Sequence, residues 1–192
     1  MPSADHASEP AVGDAARREA VLQSALQTFG RYGYRKTSMD DIAREARISR
    51  PGLYFLFSSK SGLFRAAADR GINDDLDQAA QALATASRSP AERVLAAFDC
   101  WAGRYVGPMR DVTAVLEGNP DLLGPAARSG PERFEHLLTA ALGEAGITAA
   151  QAVAQTLISA SIGIKHQVAT REEYGTRMAT AIGLLVPDPT AG

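Results

Sequence analysis

Apolar residues recur every three or four positions along most of the chain, which is the spacing of an α-helix with one buried face. Between about Asp14 and Tyr32 they are Val21, Leu22, Ala25, Leu26 and Phe29. Gly33 follows, where a left-handed residue commonly ends a helix. Alanine is abundant and runs of β-branched residues are scarce, which favours helix nearly everywhere else. The pattern predicts an all-α fold.

Residues with side-chain oxygen atoms mark the starts of the next helices. Ser38 (or Thr37) and Asp41 suit a capping box before a second helix, and Ser49 can cap a third helix that opens with Arg-Pro-Gly. A fourth helix should start after Ser58 or Ser59, run to about residue 87 and bend near Gly71. Similar signals predict helices within 89–105, 108–118, 131–146, 148–169 and 170–186, with capping boxes at residues 89–92 and 170–173.

The short third helix carries apolar residues on its outer face. Leu53, Leu56 and Phe57 share an inward arc, whereas Pro51 and Phe55 point the other way. Two short helices joined by a tight turn are the parts of a helix-turn-helix, although such pairs also occur as simple packing units. The outward chemistry favours DNA: an arginine can bind guanine, and apolar side chains can contact a thymine methyl group. We expect this face to meet a duplex.

Charge is unevenly distributed along the chain. The 192 residues carry a net charge of −2, yet residues 17–70 hold eleven basic and five acidic side chains, a net charge of +6. A basic third on an acidic remainder suits a polyanion, although a solvated charge run would look the same. The N-terminus has no signal-peptide core, no segment is apolar enough for a membrane span, and the single cysteine suits a reducing compartment. These features predict a cytoplasmic protein.

The run from residue 17 to 69 resembles the DNA-binding region of the TetR family of transcriptional repressors, through the skeleton F..YGY..TS..DIA..A.IS...LY..F.SK..L. The resemblance implies a three-helix DNA-binding head, a helical body with a small-molecule pocket, and a homodimer formed by the last two helices. It implies a double-stranded operator and an effector, which we expect to be apolar. The expected DNA-binding residues are Thr37, Ser38, Arg47, Ser49, Arg50, Pro51, Gly52, Tyr54, Phe55 and Lys60.

Three positions depart from the family pattern. Arg47 stands where the turn usually has glycine, and a left-handed arginine would cost roughly 1–2 kcal/mol. Gly52 and Leu56 replace residues that commonly offer polar groups to phosphate. We expect fewer phosphate contacts per subunit than the family typically makes.

The body is assigned from its own residues and the family's dimer arrangement. The expected dimer contacts are Leu157, Ile158, Ser161, Ile162, Tyr174, Met178, Ile182 and Leu185. The expected effector pocket comprises Phe98, Trp101, Tyr105, Met109, Thr113, Leu116, Phe134 and Gln155, with Arg104, Glu117 and His136 as further polar candidates. Each of these aromatic residues is more readily explained as part of the core than as a ligand contact.

No pattern supports catalysis, a cofactor or a metal. The two histidines of the body, His136 and His166, lack further ligands at metal spacing, and we expect Cys100 to be a buried, inert thiol. We expect a disordered tail over 1–13, the head over 14–70, the body over 71–188 and a frayed end over 189–192. The alternative is a dimeric helical ligand-binding or interaction module with weak or no specific DNA binding.

Overall fold

The computed structural model describes residues 9–107, 122 and 124–187, with side chains from Gly13 onward. These residues form helices and no strands, so the all-α prediction is confirmed. A short 3-10 turn, Gly103–Tyr105, follows the fifth α-helix. The α-helices are α1 Glu9–Tyr32, α2 Met39–Glu45, α3 Arg50–Leu56, α4 Lys60–Leu83, α5 Pro90–Trp101, α6 Pro125–Glu144, α7 Ala150–Gln167 and α8 Arg171–Leu185.

The predicted caps are present. The backbone N–H of Asp41 donates to Oγ of Ser38 at 3.1 Å, and the N–H of Ser38 donates back to Oδ2 of Asp41 at 2.9 Å. Equivalent boxes begin α5 and α8. Gly33 ends α1 with a φ of +81°. These local signals fix where the helices start because each satisfies backbone groups that the helix itself leaves unpaired.

Two helix starts differ from the sequence-based prediction. α1 begins at Glu9, so residues 9–13 are helical and not a disordered tail; Pro10 fits a first turn, where no backbone N–H is required. α6 begins at Pro125, six residues before the predicted start at Pro131, which now lies inside the helix. The N–H of Ala127 in its first turn donates to the Asp69 carboxylate at 3.4 Å, a long-range contact that sequence spacing cannot reveal.

Two further differences concern α4. α4 runs unbroken through Gly71 and ends at Leu83, short of residue 87. The predicted helix over 108–118, the tail residues 1–8 and the frayed end over 189–192 lie outside the described residues.

Two buried clusters share α4. The head cluster joins α1, α2 and α3 with the first half of α4, and the body cluster joins the second half of α4 with α5 to α8. α4 supplies Leu63, Phe64 and Ala67 to the head and Leu76, Ala79 and Leu83 to the body. The predicted boundary at residue 70 therefore falls inside a continuous helix. Of the helices described, none has both the length and the apolarity that a bilayer crossing requires.

Candidate functional site

The outer face of α3 carries an unusual exposed apolar side chain. Phe55 is 83% exposed, while Leu53 and Phe57 are buried in the head cluster. Pro51 is exposed one turn earlier. Since burying a phenylalanine stabilises a protein by roughly 1.5–3 kcal/mol, leaving one in water suggests a surface that another molecule covers.

Arg50 stands at the start of the same face. Its Nε lies 3.0 Å from Oδ1 of Asp40 on α2, and its guanidinium lies 5.8 Å from the ring centre of Tyr54. The side chain of Arg50 is 64% exposed and that of Asp40 is 49% exposed. An exposed pair of this kind contributes little stability, so Arg50 can exchange Asp40 for another partner at small cost.

The residues at the two helix starts differ in what they can offer to a ligand. The hydroxyls of Ser38 and Ser49 are exposed, and each accepts a first-turn N–H of its own helix. Thr37, expected at a phosphate, is buried instead, and its Oγ1 donates to the carbonyl of Gly33 at 2.8 Å. The assignment of the Thr37 side chain to DNA is wrong because this hydroxyl closes the turn after α1.

Lys60 also has partners inside the head. Its Nζ lies 4.5 Å from the ring centre of Tyr34 and donates to the carbonyl of Arg35 at 3.4 Å. Burial lowers the pKa of Lys60. The side chain therefore stabilises the connection between α1 and α2, and a contact with phosphate would have to be made alongside these interactions.

Two of the positions that depart from the family pattern, Arg47 and Gly52, affect the backbone at the start of α3. Arg47 adopts a φ of +54°, so the arginine does carry the left-handed conformation that glycine would adopt freely. At Gly52 a Cβ atom would lie 3.0 Å from Oγ of Ser49 and 3.3 Å from Nη2 of Arg17. Glycine at that position lets the start of α3 pack against its cap.

Sequence reasoning missed one basic residue that positions α3. Nη1 of Arg18 donates to the carbonyl of Leu56 at 2.9 Å, and the guanidinium lies 4.2 Å from the ring centre of Phe57. The last carbonyls of a helix lack partners within it, so Arg18 satisfies one of them and fixes the end of α3. Only the tertiary fold brings residues 18 and 56 together.

A second candidate site is a cavity of about 400 Å³ in the body. It lies among α4, α5, α6 and α7, with contributions from α1 and the 3-10 turn. Its lining residues are Leu26, Ala68, Ile72, Asp75, Phe98, Trp101, Ala102, Tyr105, Ala127, Pro131, Phe134, Ile158, Ser161, Ile162, Lys165 and His166. A volume of this size is in the range of small-molecule sites.

The structure brings four expected pocket residues to the cavity and leaves another out. Phe98, Trp101, Tyr105 and Phe134 line it. Gln155 does not, since its Nε2 donates to Oε1 of Glu135 at 2.9 Å on the exposed surface. The expected pocket residues Met109, Thr113 and Leu116 lie outside the described residues, as does residue 117.

The aromatic wall of the cavity is well ordered by packing. The rings of Trp101 and Phe134 stack with centres 5.0 Å apart and planes 11° apart, and Phe98 meets Phe134 edge-on at 5.2 Å. A Cβ atom at Gly130 would lie 3.0 Å from Cη2 of Trp101. The glycine thus allows α6 to approach the indole.

Asp75, which sequence reasoning missed, is the buried acid of this cavity. One carboxylate oxygen accepts from Arg104 and the other from the hydroxyl of Tyr105. Burial raises the pKa of Asp75 to about 6, against the opposing effects of the Tyr105 hydrogen bond and the Arg104 charge. Burial, followed by the charge of Asp75, raises the pKa of Tyr105. The triad links α4 to the 3-10 turn.

Much of the predicted dimer surface is buried within a single chain. The core of the body contains Leu157, Ser161, Tyr174, Met178 and Ile182, so their assignment to an interface between chains is wrong. Oγ of Ser161 and the hydroxyl of Tyr174 are hydrogen-bonded at 2.7 Å. The stripe on α8 faces α5 and the 3-10 turn of its own chain. Periodicity identifies an apolar face but not the partner it packs against.

Other apolar residues of these two helices remain exposed. Ile162 is 55% exposed and Leu184 is 80% exposed, whereas Ile158 and Leu185 are half-buried. A Cβ atom at Gly163 or Gly183 would meet no atom within 4 Å. The outer face of α7 and α8 is therefore open in the single chain.

Two observations on the described residues concern the thiol and the groups that could bind a metal. Burial, with the charges of Asp99 and Asp75, raises the pKa of the Cys100 thiol, which disfavours the reactive thiolate. Among the side chains that the structure describes, no three of the histidine, cysteine, aspartate and glutamate type come together as a metal site needs.

The chain is similar to known bacterial regulators. Residues 21–67 match the model of the bacterial regulatory proteins of the tetR family. The uncharacterised HTH-type transcriptional regulator YfiR of Bacillus subtilis is 28% identical over 127 residues, which are 65% of this chain and 51% of YfiR. The HTH-type transcriptional repressor ComR of Escherichia coli is 41% identical over 56 residues, 29% of this chain and 27% of ComR.

The likeness in structure extends beyond the head. AibR, crystallised with isovaleryl coenzyme A and operator DNA, superposes with a TM-score of 0.58 at 22% identity, over 90% of this chain and 99% of AibR. In the sequence matches the chain spans about half the length of YfiR and about a quarter of ComR.

Proposed function

We propose that this chain, whose residues 21–67 match the model of the bacterial regulatory proteins of the tetR family, is a dimeric TetR-family repressor that a small-molecule effector releases from operator DNA. The observation that carries this proposal is the outer face of α3, where Phe55 is 83% exposed beside Pro51 and Arg50. An apolar and basic helix face of this kind suits the major groove, where base edges offer both acceptors and thymine methyl groups.

The proposed contacts with DNA fall into two groups, those to the bases and those to the phosphate backbone. Arg50, Pro51 and Phe55 face the bases, with Arg50 leaving Asp40 to bind a guanine. Tyr54 and Arg47 reach phosphates from exposed positions. The starts of α2 and α3 at Ser38 and Ser49, with Gly52 in the first turn of α3, approach the backbone closely. Lys60 supports this surface through Tyr34 and adds its charge to it.

A homodimer supplies the second recognition helix. Two half-sites of a pseudo-palindromic operator lie about one helical turn apart, roughly 34–36 Å, so two heads must be held at that spacing. The exposed Leu184 on α8 supports a dimer through the outer face of α7 and α8, whereas the exposed Ile162 of α7 also lines the cavity. Half-buried Leu185 follows Leu184 on α8, and half-buried Ile158 lines the cavity.

The cavity in the body is the effector site of this proposal. AibR carries both a ligand and an operator in its crystal structure, which is a precedent for the two kinds of partner in one chain of this fold. An effector that binds better to a state with different head spacing lowers operator affinity by the same coupling free energy. α4 provides the physical link because Ile72 and Asp75 line the cavity and Phe64 packs in the head.

Repressor polarity, a non-enzymatic role and a cytoplasmic location complete the proposal. ComR, which is 41% identical to this chain over 56 residues, is a repressor. A regulator that reads genomic DNA works in the cytoplasm of a bacterium. The alternative is a ligand-binding or interaction module whose head lacks specific DNA affinity, and Gly52 and Leu56 are the positions that favour it.

The test is DNA binding by fluorescence anisotropy. The probes are a duplex from upstream of the protein's own gene and a random duplex, each at several salt concentrations. We expect a steep salt dependence together with a preference for the upstream duplex. Arg50→Ala should reduce that preference by roughly tenfold or more, while Arg88→Ala, an exposed arginine of the body, should leave it unchanged. Equal and weak binding to both duplexes would support the alternative.

A further inference from the structure

The charges that line the body cavity are not equally available to a ligand. Asp75, Lys165 and His166 are its titratable lining residues besides Tyr105. Both oxygens of the Asp75 carboxylate already accept hydrogen bonds, from Arg104 and Tyr105. A cationic ligand would find that carboxylate occupied by a guanidinium, so Asp75 does not provide a cation site.

Lys165 is the available charge. Its side chain lines the cavity, half-buried, and among the described residues it makes no hydrogen bond or ion pair. A lysine in the last turn of α7 interacts favourably with the helix dipole, which explains a positive charge there. The dipole does not require the side chain to line a cavity, and a partly buried ammonium gains most from an anionic partner.

The rest of the wall is apolar and rigid. The stacked rings of Trp101 and Phe134 form one side, and Ile72 and Ile158 add aliphatic surface. Lys165 lies on the same face of α7 as Ile158 and Ser161, seven and four residues earlier, so the ammonium and the apolar wall border one space. His166 next to it adds a second group that can donate a hydrogen bond.

From this arrangement we infer that the cavity takes a small apolar monocarboxylate, whose hydrocarbon body lies against Trp101 and Phe134 and whose carboxylate pairs with Lys165. The inference rests on the proposed function in one respect, namely that this ligand is the effector. A volume of about 400 Å³ suits an acid with one aromatic ring or a medium-length aliphatic chain.

Trp101 is the single tryptophan of the chain, so its fluorescence reports directly on the cavity. The probes are 3-phenylpropionate, its neutral amide, the cation 3-phenylpropylamine, and octanoate as an aliphatic acid. We expect the two acids to change the emission with saturation. The amide and the amine should bind roughly ten- to a hundredfold more weakly, the range expected for loss of a charge-assisted hydrogen bond.

Variants assign the effect to one side chain. Lys165→Met should lower the affinity for 3-phenylpropionate to that for the amide, while Lys165→Arg should retain most of it. Lys36→Met, the same change at an exposed lysine of the head, should have no effect. Circular dichroism confirms that each variant is folded. The inference is overturned if acid and amide bind equally, if the amine binds best, if Lys165→Met binds the acid normally, or if neither acid changes the emission.

Operator binding measured on the same samples separates this inference from the proposed function. Lys165-dependent binding of the acid without any specific DNA affinity would leave the ligand assignment standing and remove the regulator. Specific DNA binding with no response of Trp101 to either acid would keep the regulator and overturn the ligand assignment. If both hold, adding the acid should lower operator affinity, and Lys165→Met should abolish that effect.

Discussion

Nε of Arg50 on α3 lies 3.0 Å from Oδ1 of Asp40 on α2, so the residue proposed to read a base is held by an acid of its own head. Both side chains are largely solvated, and such pairs contribute at most about 1 kcal/mol. Asp40 also places a negative charge on the surface proposed to meet phosphates. In free protein this pair orients the guanidinium, and on DNA it must open.

Replacement of Asp40 should therefore strengthen DNA binding. We expect Asp40→Asn to raise affinity for the upstream duplex by roughly three- to tenfold at low salt, with a smaller gain at high salt because the added term is electrostatic. Anisotropy titrations measure it. Glu45→Gln removes one charge from the same helix without freeing Arg50 and should give a smaller gain. Equal gains for both variants would show that the Asp40–Arg50 contact has no specific role.

The left-handed conformation of Arg47 makes a prediction about stability. Its φ of +54° is disfavoured for any residue with a Cβ atom, so Arg47→Gly should raise the free energy of unfolding by up to about 1 kcal/mol. Urea denaturation provides the measurement. Arg44→Gly, the same change at a residue in the helical last turn of α2, should have the opposite sign. A destabilised Arg47→Gly would mean that the arginine side chain contributes more than the backbone strain removes.

The buried acid Asp75 makes stability depend on pH. Its pKa is 3.8 when exposed and rises to about 6 in the fold, so the folded protein binds the proton more tightly. Asp75 therefore contributes most to the free energy of unfolding at low pH. Its contribution declines by about 3 kcal/mol in all as the pH rises from about 4 to about 6. Asp75→Asn stays neutral and should not show this decline.

The measurement is the difference in unfolding free energy between Asp75→Asn and the wild type from pH 4.5 to 8. As the pH rises, the free energy of unfolding of Asp75→Asn should increase relative to that of the wild type, and the difference should become constant above about pH 7. Asp77→Asn, the same change at an exposed aspartate two residues away, is the matched control. A difference that moves in the other direction would contradict the raised pKa of Asp75.

Two variants separate the proposed dimer surface on α7 and α8 from the proposed DNA-binding face of α3. Leu184→Asp should convert the proposed dimer to a monomer in light scattering, and it should weaken operator binding by roughly tenfold or more because one head alone loses a half-site. Phe55→Asp should leave the dimer intact and weaken DNA binding directly. A Leu184→Asp protein that remains dimeric would move the interface to another surface.

The sequence predicted best what is decided by neighbours in the chain. The caps at Ser38, Ser49 and Ser59 and the left-handed Gly33 follow from local hydrogen bonds, and the helices appear where these signals place them. The inward residues Leu53 and Phe57 follow from the helical period. In these cases residues within one turn determine the outcome.

The errors arise where distant segments decide. Tyr174 and Met178 form an apolar stripe in either environment, and only the packing of α8 on α5 shows that it belongs to the chain's own core. The Thr37 hydroxyl has two possible partners, a phosphate and the Gly33 carbonyl, and spacing does not choose between them. Asp75 was missed because its partners lie about thirty residues away, at Arg104 and Tyr105.

The position of α4 in both buried clusters has a consequence for how the molecule can come apart. Leu63 and Phe64 on one half and Leu76 and Leu83 on the other are turns of a single hydrogen-bonded rod. Unfolding of either half of α4 would remove its residues from the cluster that they help to form and expose the apolar side chains packed against them. Head and body should therefore be lost together in one cooperative step, and a mutation in one can be felt as heat sensitivity of the other.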